Sequence, residues 1–240
     1  EIIANDTSRE RLTWVAEKYD IKTTQSNTKV AQQADIIFLS VKPNAYDTVI
    51  RKIRSHVRED ALIIILAAGL GIKEVREKFG AERKTKLVKV MPNIAAMVNC
   101  SMTAVCAADD VSEDELTQVL EIFNSIGKTE ILPEHLFDAF TALAGSSPAY
   151  AFMFIEAMAD AGVKHGFSRK LAIEISAQAL LGATKMVLET GENPAALKDA
   201  VCSPGGTTIE AVCELERNGF RNAVISGVTA AVDKYNRMKG

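Results

Sequence analysis

Apolar and polar positions in the first half of the chain alternate between short unbroken apolar runs and segments with apolar residues every three or four positions. Residues 1–4 are a short apolar stretch that stops at Asn5-Asp6, and residues 8–19 follow with helical spacing. Residues 35–41 (DIIFLSV) are a β-rich run closed by Lys42-Pro43, where proline cannot continue a ladder. Residues 45–57 carry Val49, Ile50, Ile53 and Val57 on one helical face. Residues 61–68 (ALIIILAA) predict a second buried strand closed by Gly69, then a helix over 72–79 and a strand over 86–91 stopped by Pro92-Asn93. Strands without polar alternation are apolar on both faces, which suits a parallel sheet covered by helices in a right-handed βαβ series.

The pattern changes after Val111. Ser112-Glu113-Asp114-Glu115 is a capping box that starts a helix running to about Ser125, and residues 128–132 are one last strand. From Glu134 onward only helical stretches follow, over 134–144, 148–165, 168–190, 194–201, 204–217 and 220–238, broken by Gly, Ser and Pro. The expected fold is therefore α/β, a Rossmann-type parallel-sheet domain over residues 1–133 followed by an all-α domain over 134–240. Two of the helices are apolar nearly all round. Residues 149–159 carry only Glu156, and residues 172–188 only Glu174 and Lys185. A domain of about one hundred residues has little interior for such helices, so mutual burial in a homodimer is expected.

Composition narrows the function classes. With 48% hydrophobic and 25% charged residues the chain reads as an ordinary soluble domain, not a disordered tail or disulfide scaffold. A net charge of −3 offers no surplus for a phosphate backbone, so nucleic acid is not an expected partner. The uncharged run at 61–70 is too short to span a bilayer, and the chain opens on no basic-apolar leader, so no membrane and a cytoplasmic location are expected. Cys100, Cys106, Cys202 and Cys213 lack metal or redox spacing and read as buried reduced thiols. His56, His135 and His165 read as surface histidines, so no metal site is expected.

An open α/β sheet binds ligands at the carboxyl ends of its strands. Here those ends are Asn5-Asp6, Val41-Lys42-Pro43, Ala67-Ala68-Gly69 and Met91-Pro92-Asn93, and their small residues leave room for a flat cofactor. The G-x-G-x-x-G fingerprint that would accompany them is missing. If residues 1–4 are the second strand of a dinucleotide fold, the first strand, phosphate loop and helix lie upstream, a deficit on the order of 25–30 residues. Ser203-Pro204-Gly205-Gly206-Thr207-Thr208 is the sharpest local motif. Ser203 suits an N-cap and Pro204 a first helical position, and the glycines expose backbone amides that suit a carboxylate or phosphate. An ordinary interhelical turn fits the same residues equally well. Residues 144–150 (AGSSPAY) form a second small-residue turn opening the most apolar helix, with Tyr150 read as a buried tyrosine rather than a proton donor.

Together the segments FLSVKP, ILAAG, VMPN, AGSSPAYAF, EAMADAG, AQALLGATKMVLETG and LKDAVCSPGGTTIEAV resemble the pyrroline-5-carboxylate reductase family in order and spacing. That resemblance implies reduction of 1-pyrroline-5-carboxylate to L-proline with NADP or NAD as cofactor. It implies a helical dimerisation domain, and in this family dimers assemble into decamers. The substrate carboxylate would rest on amides around Gly205, Gly206 and Thr207, and the Thr208 hydroxyl would hydrogen-bond the ring nitrogen. Glu134 and Ser203 match further substrate-pocket positions. Asn5, Asn27, Val41, Lys42, Pro43, Ala67 and Ala68 match cofactor-contacting ones. The site would form where one subunit's crevice meets helices of the dimer.

Two positions depart from the pattern. Asp6 stands where some members carry an arginine for the 2′-phosphate, and an acid there favours a free 2′-hydroxyl, with Arg9 and Arg11 within reach of a phosphate. Ala200 stands where relatives can carry a cofactor-contacting asparagine. A 3-hydroxyacid-type dehydrogenase would leave the SPGGTT turn unexplained, whereas a non-catalytic dimeric or proline-binding fragment is compatible with the missing phosphate loop.

Overall fold

A computed structural model of the chain describes residues 1–80 and 83–238. Contacts divide it into two compact units, residues 1–145 with the last residues from Lys234, and residues 146–233.

The first unit opens with β1 (Ile3–Asn5), α1 (Arg9–Tyr19), β2 (Lys22–Thr24) and α2 (Asn27–Gln33). Strands β1 and β2 form a parallel pair of their own, with Ile3 opposite Lys22 and Asn5 opposite Thr24. The next elements are β3 (Ile36–Leu39), α3 (Tyr46–Ile53), β4 (Leu62–Ile65), α4 (Ile72–Phe79) and β5 (Lys86–Met91). Then come β6 (Ser101–Ala107), α5 (Glu113–Asn124) and β7 (Gly127–Ile131). Strands β3 to β7 make a five-stranded sheet in sequence order, parallel at every step but β5–β6, which is antiparallel.

The apolar runs fold as their composition requires. All four residues of β4 are buried. Ile63 and Ile65 pack in one layer with Ile50, Ile53, Val75 and Phe79 of α3 and α4. Leu62 and Ile64 pack in the other layer with Val88, Val105, Val119 and Phe123. Ser8 and Ser112 cap α1 and α5 by accepting from the amides of Arg11 and Glu115, and Glu115 completes a capping box.

Four parts of the chain depart from the sequence expectation. The strand β2 and helix α2 are short, and their three-residue and seven-residue lengths carry too little periodicity to read. Strand β6 interrupts the parallel series. Its sequence SMTAVCA is half polar, yet Ser101 and Thr103 are buried because their hydroxyls hydrogen-bond each other at 3.1 Å. Residues 134–144 are not one helix. They form a 3-10 turn (Glu134–Leu136), the short α6 (Phe137–Phe140) and a π-helical turn (Thr141–Gly145). Phe137 is 1% exposed and packs on Met91 and Ala104 of the sheet, so by its contacts this stretch falls within the first unit, which runs to Gly145.

The second unit is helical: α7 (Ser147–Lys164), α8 (Arg169–Thr190), α9 (Pro194–Val201), α10 (Thr207–Arg217) and α11 (Phe220–Met238). Helices α7 and α8 pack as a hairpin through small residues. Ala159, Ala172 and Ser176 are buried, and a Cβ on Gly162 would meet that of Ala172 at 3.0 Å. Their other faces are open: Phe152, Met153, Leu181, Met186 and Leu188 are each at least half exposed within the chain. By length and composition alone α8 is apolar enough to cross a bilayer. None of the four cysteines is buried as expected: Cys100 and Cys213 are exposed, Cys106 and Cys202 half-buried, and all are free thiols.

Gly127 opens β7 at φ 155°, and a Cβ there would lie 2.0 Å from the Ser101 carbonyl oxygen. Gly127→Ala is therefore expected to cost at least about 3 kcal/mol of unfolding free energy, because backbone rather than a flexible side chain must yield. Urea unfolding of the variant against wild type measures it.

Candidate active site

The strand ends of the first unit gather most of the residues singled out above. Asn5 ends β1, and its side-chain amide donates to the Thr24 carbonyl at 3.0 Å, tying together the carboxyl ends of β1 and β2. Asn27 starts α2 just beyond, after the N-cap Ser26, so both asparagines sit at one end of the strand pair. Asp6 is partly committed, since its Oδ1 accepts the Ser8 amide at 2.8 Å. The Arg9 guanidinium donates to Gln25 at 3.0 Å.

In the five-stranded sheet Val41, Lys42 and Pro43 are exposed beyond the end of β3, and Pro43 begins a 3-10 turn into α3. Ala67 is buried and Ala68 half-buried beyond the end of β4. Tyr46, the first residue of α3, lies between these loops and is 1% exposed. Its hydroxyl donates to the Leu39 carbonyl at 2.7 Å and accepts the Leu66 amide at 3.2 Å. Burial pushes the phenol up to about 12, so it stays protonated and able to donate. The pattern of residues 45–57 marked a helix there but nothing that set Tyr46 apart.

At the end of β5, Asn93 does more than stop a strand. Its Oδ1 accepts the Ala95 amide at 3.1 Å and caps a 3-10 turn, and its Nδ2 donates to the Ala144 carbonyl at 2.9 Å. The π-helical turn is thereby anchored to the sheet end.

Lys89 on β5 is 2% exposed, an expensive place for an ammonium unless it is paired. Its Nζ lies 3.3 Å from Glu134 Oε1 and 4.9 Å from the centre of the Phe137 ring. Glu134 Oε1 also accepts the Ile72 amide at 2.8 Å, and Glu74 accepts the Gly71 amide at 2.7 Å. The start of α4, where Gly69-Leu70-Gly71 turns out of β4, is therefore already occupied by two carboxylates. Cys106 lies beside this cluster, and burial, then the Glu134 charge, push its thiol up.

The second unit holds the SPGGTT turn. Gly206, not Ser203, is the N-cap of α10. Gly205 takes a left-handed φ of 66°, which a helix cannot continue, so Ser203 and Pro204 belong to the preceding turn, closed by the Gly206 amide on the Ser203 carbonyl at 3.0 Å. A Cβ on Gly206 would sit 2.4 Å from Ser203 Oγ and 3.1 Å from the Ser203 carbonyl oxygen, so a larger residue there would have to displace the serine side chain. The first backbone bond of α10 runs from the Glu210 amide to the Gly206 carbonyl, which leaves the amides of Thr207, Thr208 and Ile209 without helical acceptors. Three donors and the positive end of an eleven-residue helix thus lie at the turn that carries Thr207 and Thr208. Tyr150, in α7, is half-buried.

Comparison with known proteins accounts for both units. Residues 134–238 match the family model described as pyrroline-5-carboxylate reductase dimerisation, and residues 1–69 match one described as NADP oxidoreductase, coenzyme F420-dependent. The pyrroline-5-carboxylate reductase of Escherichia coli (strain K12) is 44% identical over 96% of this chain and 85% of its own length. The chain belongs to the pyrroline-5-carboxylate reductase family. Among solved structures, that of Plasmodium falciparum pyrroline carboxylate reductase with NADP bound has a TM-score of 0.88 and 32% identity, covering 99% of this chain and 87% of that one. The Streptococcus pyogenes 1-pyrroline-5-carboxylate reductase has a TM-score of 0.88 and 36% identity, covering 98% and 88%. The reductase fold, an N-terminal Rossmann-like domain and a C-terminal helical dimerisation domain, is thus that of the chain.

The Lys89–Glu134 pair is asymmetric, and that can be measured. Glu134→Gln leaves a buried ammonium without its carboxylate and is expected to cost roughly 3 kcal/mol. Lys89→Met keeps an unbranched side chain against Phe137 and is expected to cost under about half of that. Denaturant unfolding of the two variants compares them; equal losses would mean that the ion pair does not hold residues 134–137 on the sheet.

Proposed function

We propose that this chain is a subunit of a cytoplasmic enzyme that reduces 1-pyrroline-5-carboxylate to L-proline with NADPH or NADH. The observation that carries the reading is the start of α10, where a glycine turn leaves three amides free beside Thr207 and Thr208, in a chain of the reductase family.

The substrate is an anion at its carboxylate and a cyclic imine at its ring nitrogen. The amides beyond Gly205 and Gly206 suit the carboxylate, with Ser203 and Thr207 hydroxyls beside them, and the Thr208 hydroxyl suits the nitrogen. Glu134 has an indirect part, because its Oε1 is engaged by Ile72 and Lys89. A protonated imine already has an electrophilic carbon, so the chain needs to position it rather than to supply a strong acid or a metal.

The strand ends suit a nicotinamide dinucleotide. Small side chains at Ala67 and Ala68 and the exposed Val41-Lys42-Pro43 loop leave backbone and one cation available, and Asn5 and Asn27 add amides at the adjacent strand pair. When bound, that cofactor supplies the hydride, delivered to the imine carbon. The nitrogen keeps its proton and becomes the secondary amine of proline, with Thr208 holding it in place.

The open faces of α7 and α8 favour a homodimer, and α8 lies within the dimerisation match, so partner helices rather than lipid cover it. The dimers assemble further as a pentamer of dimers. Sedimentation of the full-length gene product tests this: a monomer at micromolar concentration overturns the dimer, and a dimer alone overturns the decamer.

Oxidation of NADPH and NADH with pyrroline-5-carboxylate, again on the full-length product, tests the activity, and the ratio of the two kcat/KM values gives the cofactor preference. Asp6 predicts that NADH is used; a large NADPH advantage would overturn that argument. Thr208→Ala is expected to lower kcat/KM about 10- to 100-fold, the worth of one hydrogen bond to a charged group. An unchanged value would remove Thr208 from the chemistry.

A further inference from the structure

Strands β3 and β4 end together. Their ladder closes with Leu39 opposite Ile65, and beyond it the chains separate into the loops that carry Val41-Lys42-Pro43 and Ala67-Ala68. Between them, where a continued ladder would pair backbone with backbone, stands a single hydroxyl. Tyr46 donates to the last carbonyl of β3 and accepts the first amide beyond β4. The ring is buried at the top of α3, in the same apolar layer as Ile50 and Ala67. A phenol held this way acts as a spacer, one oxygen wide, whose two bonds fix how far apart the loops stand.

We propose that Tyr46 is a positioning residue for the nicotinamide cofactor, setting the separation of the two strand-end loops through its hydroxyl. The inference rests on the proposed oxidoreductase reading, since it assigns those loops to the cofactor. Tyr46 touches neither substrate nor cofactor in this account; it acts through the Leu39 carbonyl and the Leu66 amide. Five of the seven residues proposed to contact the cofactor, Val41, Lys42, Pro43, Ala67 and Ala68, lie on the two loops that it joins. A phenylalanine at this position would keep the packing and lose both bonds, leaving a buried carbonyl and amide that reach for each other or for water. Either response changes the loop spacing.

The test is Tyr46→Phe in the full-length gene product, with Ile50→Val as the control, a buried residue of the same helix and the same layer. NADPH and NADH affinities are read by fluorescence titration, KM values for cofactor and for pyrroline-5-carboxylate by steady-state kinetics, and stability by thermal unfolding. Tyr46→Phe is expected to weaken cofactor binding and raise cofactor KM about 5- to 10-fold, the worth of one net hydrogen bond, with the pyrroline-5-carboxylate KM within about twofold of wild type. Ile50→Val is expected to lower the melting temperature and leave cofactor affinity unchanged. Cofactor binding unaltered in Tyr46→Phe overturns the inference. So does an equal loss of affinity in Ile50→Val, which would make the effect one of general stability. A wild-type protein that binds neither dinucleotide overturns the oxidoreductase reading and this inference with it, whereas binding in wild type with no change in the variant overturns the inference alone. Should Tyr46→Phe fail to fold, amide exchange in the wild type decides: NADPH is expected to slow the Leu66 and Ala67 amides about fivefold or more, and unchanged exchange overturns the inference.

Discussion

Strands β4 and β5 run through the middle of a sheet covered on both faces, so no polar group that leaves the ladder there can turn to water. Each must find a partner within the first unit, and the partners determine the shape of the strand ends. The Leu39 carbonyl and Leu66 amide find the Tyr46 hydroxyl. The Lys89 ammonium, pointing out of β5 into an apolar layer, finds Glu134 and the face of Phe137. Asn93 closes β5 by serving Ala95 on one side and Ala144 on the other. Satisfying a dry interior is thus what fixes the loops at the carboxyl edge of the sheet.

The second unit obeys the opposite constraint. Its helices have too little interior, and only Ala159, Ala172 and Ser176 of the long hairpin are buried. Small residues at that crossing let α7 and α8 approach closely, as Gly162 against Ala172 shows, but they also limit the apolar area that the crossing can bury. Phe154 against Phe220, 5.9 Å between ring centres, adds one contact to α11. Large side chains remain open in number, and an open apolar surface of that extent is an association surface. Membership of a family whose helical part is a dimerisation domain accounts for it.

Much of this was legible in the sequence, and the failures have physical causes. The unbroken runs DIIFLSV and ALIIILAA announced strands buried on both faces, and the two nearly all-apolar helices announced a shared interface. Strand β6 escaped because its burial depends on Ser101 and Thr103 satisfying each other, a pairing that no periodicity reveals. The start of α10 was misplaced by three residues, from Ser203 to Gly206, because capping preference ranks serine highly while Gly205 breaks the helix by its backbone sign. The roles of Tyr46, Lys89 and Asn93 were hidden for a common reason. Each depends on a partner far along the chain, so a local reading finds only a helical tyrosine, a strand lysine and a strand-ending asparagine.

This division bears on how such a reductase works. On the proposed reading an imine that arrives protonated needs little acid–base help, and the free amides of Thr207–Ile209 suit its carboxylate. The rate then depends on distance: where the ring carbon lies relative to the hydride donor. In the second unit the turn before α10 is shaped by a left-handed Gly205 and by Gly206, packed close against Ser203. In the first unit the strand-end loops are held by buried hydroxyl, amide and ion-pair contacts. On that reading the chemistry asks the chain for position, and backbone turns and buried polar contacts are the devices that supply it.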